Sequence, residues 1–408
     1  MLNIIWASFF IVAFLSAVWG SLFLGNAEVW NNLVGAAFES SKAAFSVSLN
    51  LTGILCLWLG LLKIAEKSGL TTLLAKALYP LFCRIMPEVP AGHPSLGSMI
   101  MNIAANVLGL DNAATPMGLK AMEQLQSLND KKETASNAQI LFMVINSSAV
   151  TLIPITILMY RAELGAANPA AVFIPILLAT SCSTLVGFFS VALVQRLNIF
   201  NRIVMAYLLG FVAFVAAVAY YFASLPDDVR LVRSAVWGNC ILFSVVAGFI
   251  IAGLWRRLNV YETFIEGAKE GFEIAVRIIP YLVAMLVAIA VFRASGAMDL
   301  LVKSFEMFFR FIGMDTGFVA ALPTAVMKPL SGSGARAMMI ETMQTYGADS
   351  FPAFVSCIIQ GSTETTFYVL AVYFGAVKIV KTRYALPCAL LADFAGIVAA
   401  VSLAYAFY

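Results

Sequence analysis

Gln360-Gly361-Ser362-Thr363-Glu364-Thr365-Thr366 forms the polar centre of an otherwise apolar run at 350–375. Asn146-Ser147-Ser148 interrupts a second apolar run, 137–160, in the same way. The two stretches align at an offset of 214 residues, Asn146-Ser147-Ser148-Ala-Val-Thr151 against Gln360-Gly361-Ser362-Thr-Glu-Thr365. Each run is long enough to cross a bilayer, where a polar centre is costly unless it is paired, hydrated or functional.

The match continues toward the N-terminus. Glu123 and Gln126 align with Glu341 and Gln344 at offset 218. Glu39-Ser-Ser-Lys42-Ala-Ala-Phe45 aligns with Glu266-Gly-Ala-Lys269-Glu-Gly-Phe272 at offset 227, as do Ser68-Gly69 with Ser295-Gly296, Leu73-Leu74 with Leu300-Leu301, and Lys76 with Lys303. Ordered matches with small offset drops divide the chain into two homologous halves, 1–200 and 201–408.

Composition agrees. The 408 residues are 62% hydrophobic and 12% charged, with a mean hydropathy of +0.92, against about 45–50% and about 25% for soluble domains. Nine long apolar runs stand out, at about 3–24, 45–65, 137–160, 169–195, 203–223, 233–254, 274–293, 350–375 and 384–407. The fold class expected is an all-α polytopic membrane protein with about nine transmembrane helices. Segments 70–86 and 298–312 have amphipathic helical patterns suited to the interface. Segments 96–127 and 317–346 each pair a short apolar half with a Gly/Asn/Ser/Pro break and a second short helix, the pattern of a re-entrant hairpin. If both hairpins are re-entrant, five passes separate 45–65 from 274–293, and an odd number inverts the second half. Placing the N-terminus in the cytoplasm puts fifteen Lys/Arg in inner loops and seven in outer ones, Arg161 among the seven.

Several functions are excluded or disfavoured. A net charge of +3, scattered, gives no nucleic-acid footprint. The six cysteines fall mostly inside apolar runs without paired spacing, so neither a disulfide framework nor a metal site is expected. The single histidine, His93, argues against His-rich metal centres and a Ser-His triad. A Ser333–Lys328 dyad is the one conceivable enzymatic arrangement; the expectation is no enzyme and no cofactor. Met1-Leu-Asn lacks a basic stretch, so the first run reads as a retained span.

Candidate binding residues cluster at the breaks. In the first hairpin Asn102 and Asn106, four apart, share a helix face, while Asn112 and Thr115 sit where Gly109 and Pro116 interrupt regular structure. Pro116 is placed to open the following helix, whose free N–H groups would face a polar ligand. In the second, Lys328-Pro-Leu-Ser331-Gly-Ser333-Gly-Ala-Arg336 exposes backbone between two cations. The span centres add Asn146, Ser147 and Ser148, and Gln360, Ser362, Thr363 and Glu364. Glu364 and Asp393, carboxylates inside apolar spans, are candidates for coupling to a proton or sodium ion, or for neutralising Lys328 and Arg336.

Asn106-Val-Leu-Gly-Leu-Asp-Asn-Ala-Ala-Thr-Pro-Met-Gly-Leu-Lys-Ala-Met resembles the signature of the spore maturation protein A family. Lys328-Pro-Leu-Ser-Gly-Ser-Gly-Ala-Arg together with Gln360-Gly-Ser-Thr-Glu-Thr-Thr-Phe-Tyr-Val-Leu-Ala-Val-Tyr-Phe-Gly resembles that of spore maturation protein B. The resemblance covers nearly the whole chain, A-like in the first half and B-like in the second. It implies a fused A/B protein of the nucleoside recognition, or Gate, domain class, which is similar to parts of concentrative nucleoside transporters and of the ferrous-iron permease. That class implies a bacterial inner-membrane protein with transporter-like hairpins.

Inverted repeats with broken helices are the usual plan of secondary transporters, with the site near the midplane. The first expectation is therefore a permease for a small polar solute. Lys328, Arg336 and the two helix N-termini lean toward an anion or zwitterion, and the resemblance toward a nucleoside-like solute. The alternative is a non-transporting scaffold or regulator of cell-envelope processes. The Gly-rich spans permit a homodimer without requiring one.

Overall fold

The computed structural model describes residues 2–23, 28–90, 92–107, 111–148 and 154–408, with the side chains of 2, 111–113, 227 and 228 outside the description. The described residues are helical almost throughout. The chain opens with α1 (Leu2–Phe23) and the 40-residue α2 (Glu28–Lys67), followed by the short α3 (Leu70–Ile85). The first hairpin is α4 (Pro94–Val107) and α5 (Asp111–Ser127). Next come α6 (Asn137–Ser147), α7 (Ile155–Glu163), α8 (Phe173–Gln195) and α9 (Arg202–Ala223). After α9, the order of α1 to α8 is repeated by α10 (Asp227–Trp255), α11 (Val260–Ala294), α12 (Ala297–Phe311), α13 (Leu322–Leu330), α14 (Gly332–Tyr346), α15 (Phe351–Ser362), α16 (Thr366–Ala376) and α17 (Ala385–Phe407).

Seven helices among the described residues (α1, α2, α8, α9, α10, α11 and α17) are long and apolar enough to cross a membrane. The other two expected spans are not continuous. Run 137–160 divides into α6 and α7, and run 350–375 into α15 and α16. The division falls at the polar centres because hydroxyls there turn back on their own helices. Ser147 and Ser148 both donate to the Val144 carbonyl, and Ser362 donates to that of Ile359. Such back-bonds compete with the helical ladder. The starts also match between halves: Ser136 caps α6 and Ser350 caps α15, each accepting a backbone N–H three residues on.

The amphipathic segments form α3 and α12, as the pattern predicts. Each leaves a long helix through a glycine in the left-handed region, Gly69 at φ 79° and Gly296 at φ 78°. A side chain would be strained at either elbow. The hairpin helices are short: α4 has 14 residues and α13 has nine. These correspond to about 21 Å and about 14 Å, less than the about 30 Å hydrocarbon core. Pro116 does not open a helix. It lies inside α5, which begins at Asp111.

The relation between the halves follows from two packed pairs. Helices α2 and α11, equivalent by the repeat, run antiparallel: Lys63, near the end of α2, pairs with Glu270, near the start of α11, at 2.9 Å. Their backbones touch through glycine. A Cβ at Gly267 would lie 2.4 Å from the Leu59 carbonyl oxygen, and one at Gly271 2.8 Å from the Cys56 Cα. Close approach through small residues four apart is a common way to pack membrane helices without a hydrophobic driving force. Helices α8 and α17, each following a broken helix, are also antiparallel. Ser183 donates to the Ala392 carbonyl at 2.9 Å, while Gly187 faces Ala392 and Gly396 faces Ser183. Equivalent helices that pack antiparallel across a membrane are related by an axis in its plane, so the halves are inverted.

Candidate functional site

The breaks in the helices meet one another. Between α15 and α16 the chain is extended at Thr363 (φ −147°, ψ 172°) and Thr365 (φ −87°, ψ 95°), which frees backbone groups from the ladder. One of them, the Glu364 N–H, donates to the Ser147 carbonyl at the end of α6 at 2.8 Å. The two polar centres thus satisfy each other where lipid would not. The turn of the second hairpin lies against the same place, because a Cβ on Gly332 would come within 2.7 Å of Thr365 Oγ1. Ser331 shapes that turn, capping α14 by accepting the Gly334 N–H at 3.0 Å with Ser333 Oγ 3.2 Å away.

The first hairpin joins through amides. Asn106 donates to Asn146 Oδ1 at 2.9 Å, and Asn146 donates back to the Phe142 carbonyl. Asn102, fully buried, donates to the Ala114 carbonyl at 2.7 Å and to Tyr373 Oη at 3.1 Å. The Tyr373 ring stacks on Phe142, centroids 5.7 Å apart and planes 13° apart.

These residues enclose a cavity of about 230 Å³ lined by Asn106, Thr115, Asn146, Glu364, Tyr368 and Tyr373, with Val369 and Val372. Its volume is below the about 300–1,000 Å³ of sites for drug-sized ligands. The walls offer amides, hydroxyls, an aromatic face and the exposed Glu364 carboxylate.

Four of the sequence-derived candidates, Asn106, Thr115, Asn146 and Glu364, therefore share one cavity, and Asn102 supports it from behind. Other candidates do not reach it. Ser147, Ser148 and Ser362 spend their hydroxyls on their own helices, and Ser331 and Ser333 organise the hairpin turn. Gln360 is buried, its Oε1 without a hydrogen-bond partner among the described residues. Arg336 lies beside the Tyr160 hydroxyl. Lys328 is buried, and its charge acts on Asp393. Neither cation lines the cavity, so the expected lean toward an anionic solute lacks its structural basis. The Asn112 side chain and Gly109 lie outside the described residues.

Sequence reasoning missed Tyr368 and Tyr373. With Val369 and Val372 they form i, i+4 pairs on one face of α16, a spacing that could have placed them together. It also misplaced Arg161, counted among loop cations. Arg161 is 1% exposed and bridges the halves, donating to the carbonyls of Pro169 (3.2 Å) and Ala348 (2.9 Å) and to Asp349 (3.2 Å).

The nucleoside recognition family, Gate, matches residues 48–167 and 275–380, together more than half of the chain. Both matches contain a hairpin and at least one helix break. Spore maturation protein B of Bacillus subtilis (strain 168) is 47% identical over 157 residues, covering 38% of this chain and 86% of that protein. Spore maturation protein A of the same organism is 38% identical over 183 residues, covering 45% of this chain and 90% of that protein. No solved structure matches the chain significantly. With two family matches placed on equivalent segments of inverted halves, and relatives covered over most of their own length, the chain belongs to the nucleoside recognition (Gate) family, alongside the spore maturation proteins.

Proposed function

We propose that this protein is a permease for a small polar solute, bound in the cavity between the first hairpin, the end of α6 and the start of α16. The observation that carries the reading is the Glu364 N–H to Ser147 carbonyl bond, which joins two broken helices beside a polar cavity in a membrane protein built of inverted halves. Broken helices facing a cavity are the recurrent solution for transport sites. Among the described residues the lining has one carboxylate, two amides and no cation, which favours a neutral or amine-bearing solute over an anion. The tyrosines and valines of the lining suit a solute that also has a flat apolar part, in keeping with the family's name. We place the protein in the bacterial cytoplasmic membrane with its N-terminus inside, its first half A-like and its second B-like, acting without catalysis.

Thermal melting of purified protein in detergent tests the reading against nucleosides, amino acids, amines, dicarboxylates, cell-wall precursors and metal ions. A ligand that binds only the folded state contributes about 2.7 kcal/mol at 100 times its dissociation constant. A stabilising nucleoside or amine, with the shift lost in Glu364→Gln and Asn146→Ala, is the expected result. Silence across the panel from well-folded protein would move the assignment to an envelope scaffold.

Gly118→Ala gives a sharper result. A Cβ there would lie 2.3 Å from Tyr373 Oη, so the ring must swing away from Asn102. The nearest atom is the far end of a side chain rather than backbone, and alanine favours α5 by about 0.5–1 kcal/mol. The variant should melt within a few degrees of wild type yet lose the ligand-induced shift. Retention of a full shift would remove Tyr373 from the site.

A further inference from the structure

Beside the cavity lies a second carboxylate in a different setting. Asp393, the one charged residue of α17, is 1% exposed. Among the described residues no backbone N–H bonds to either of its oxygens, and the polar groups beside them are threonine hydroxyls. The Thr363 and Thr366 hydroxyls reach it from the α15–α16 break, and both are buried. Thr363 is held there by its methyl group, since a Cβ on Gly396, one turn along α17 from Asp393, would lie 2.7 Å from Thr363 Cγ2.

We infer that Asp393 is a proton-exchange site, separate from the solute-contacting Glu364, and that the two carboxylates divide the work of a coupled permease. The inference rests on the permease reading for its purpose but on Asp393's own surroundings for its chemistry. Among the described residues no fixed N–H holds the carboxylate, and its donors are hydroxyls free to rotate. A proton on one oxygen supplies a donor that Thr363 or Thr366 can accept, and the threonine hydroxyls remain able to donate to the other oxygen. The charged groups that act on the site are Lys328 on α13 and Glu364 at the break. Helix α6 carries no titratable residue, α8 and α15 carry only Cys182 and Cys357, and α16 only its tyrosines. On α10, Arg230 reaches the far end of α17, at the Ala406 carbonyl. Deprotonated, Asp393 carries a charge opposite to that of Lys328; protonated, it does not. The exchange is with solvent, and no bond other than O–H is made or broken.

The test needs no solute. Infrared difference spectra of the full-length protein in lipid nanodiscs, titrated from about pH 5 to about pH 9 across the range where perturbed carboxyls exchange protons, report the C=O stretch of a protonated carboxyl. The expected result is a titrating band present in wild type and Glu364→Gln and absent in Asp393→Asn. Thr366→Val, which removes a hydrogen-bonding partner, should keep the band and move its frequency, which serves if Asp393→Asn fails to fold. A band absent from wild type, a band that survives in Asp393→Asn, or one unmoved by Thr366→Val would overturn the inference. So would a band abolished by replacing K⁺ with Na⁺ at fixed pH, which would make the site a sodium site. Failure of the permease reading shows instead as silence in the ligand panel with this band intact.

Discussion

Gly271→Leu is expected to prevent stable folding, whereas Gly53→Ala, on the partner helix, should be tolerated. The Cβ position at Gly271 is 2.8 Å from both the Cα and N of Cys56 and 2.9 Å from the Leu55 carbonyl carbon, all backbone atoms. No rotamer change relieves such a contact. Relief requires separating α2 from α11, and those helices also meet at Gly60, where the Phe264 ring lies 2.6 Å from the Cβ position. Overpacking a core usually costs about 1–3 kcal/mol, and a leucine against backbone belongs at or above the top of that range. At Gly53 nothing lies within 4 Å of the added carbon, so alanine should be neutral or stabilise the helix by about 0.5–1 kcal/mol. Melting and size-exclusion profiles in detergent provide the check. A Gly271→Leu protein that is monodisperse and melts with wild type would mean that α2 and α11 are not packed this closely.

That antiparallel pair also marks the boundary of what the sequence could disclose. Repeat offsets identified equivalent helices because matching residues do matching local work. Gly69 and Gly296 turn the same elbow, and Ser136 and Ser350 cap the same helix. Inversion was legible only by counting passes, since a repeat carries no direction until its copies touch. The polar centres were visible as interruptions in hydropathy. Their division into separate helices was not, because a run of apolar residues reads the same whether or not three residues in it are extended. Helices α2 and α11 extend well before the expected spans, through Glu39 and Lys42 and through Glu266 and Lys269, charges that hydropathy treats as boundaries and a helix tolerates at its aqueous end.

Site residues followed the same division. Asn106 and Asn146 were each suspect from their place in apolar runs, but their mutual bond spans 40 residues and no local pattern announces it. Lys328 and Arg336 flank the Ser-Gly turn in sequence, yet in space they face Asp393 and Tyr160. Charge adjacent along the chain is a poor guide to charge inside a cavity. The repeat also conceals an asymmetry. Arg293 pairs with Glu341 at 3.0 Å and ties α14 to α11; the aligned positions in the first half are Glu66 and Glu123, two acids that cannot form that tie.

Arg161→Met should lower stability by about 2–4 kcal/mol, through the carbonyls it leaves behind more than through the ion pair it breaks. The guanidinium is 1% exposed, whereas the Asp349 carboxylate is 51% exposed. Water screens that half of the pair, so the Coulombic part is worth about 0–1 kcal/mol. The Ala348 carbonyl is different. It lies in a buried residue and receives Arg161 Nη1 at 2.9 Å across 187 positions of sequence. Methionine matches the apolar stem but offers no donor, leaving that carbonyl and the Pro169 carbonyl without the N–H groups they now receive. Arg161 and the Ala167 N–H, 2.8 Å away, bond to separate oxygens of Asp349, so Asp349→Asn keeps an acceptor for one of them, loses one exposed hydrogen bond, and should cost about 1 kcal/mol. Melting of the two variants separates the contributions. A drop of several degrees for Arg161→Met with little change for Asp349→Asn means that the loop after α7 is fastened to the opposite half by carbonyl capture. Equal drops would assign the fastening to the charge pair, and the screening argument would then be wrong for this site.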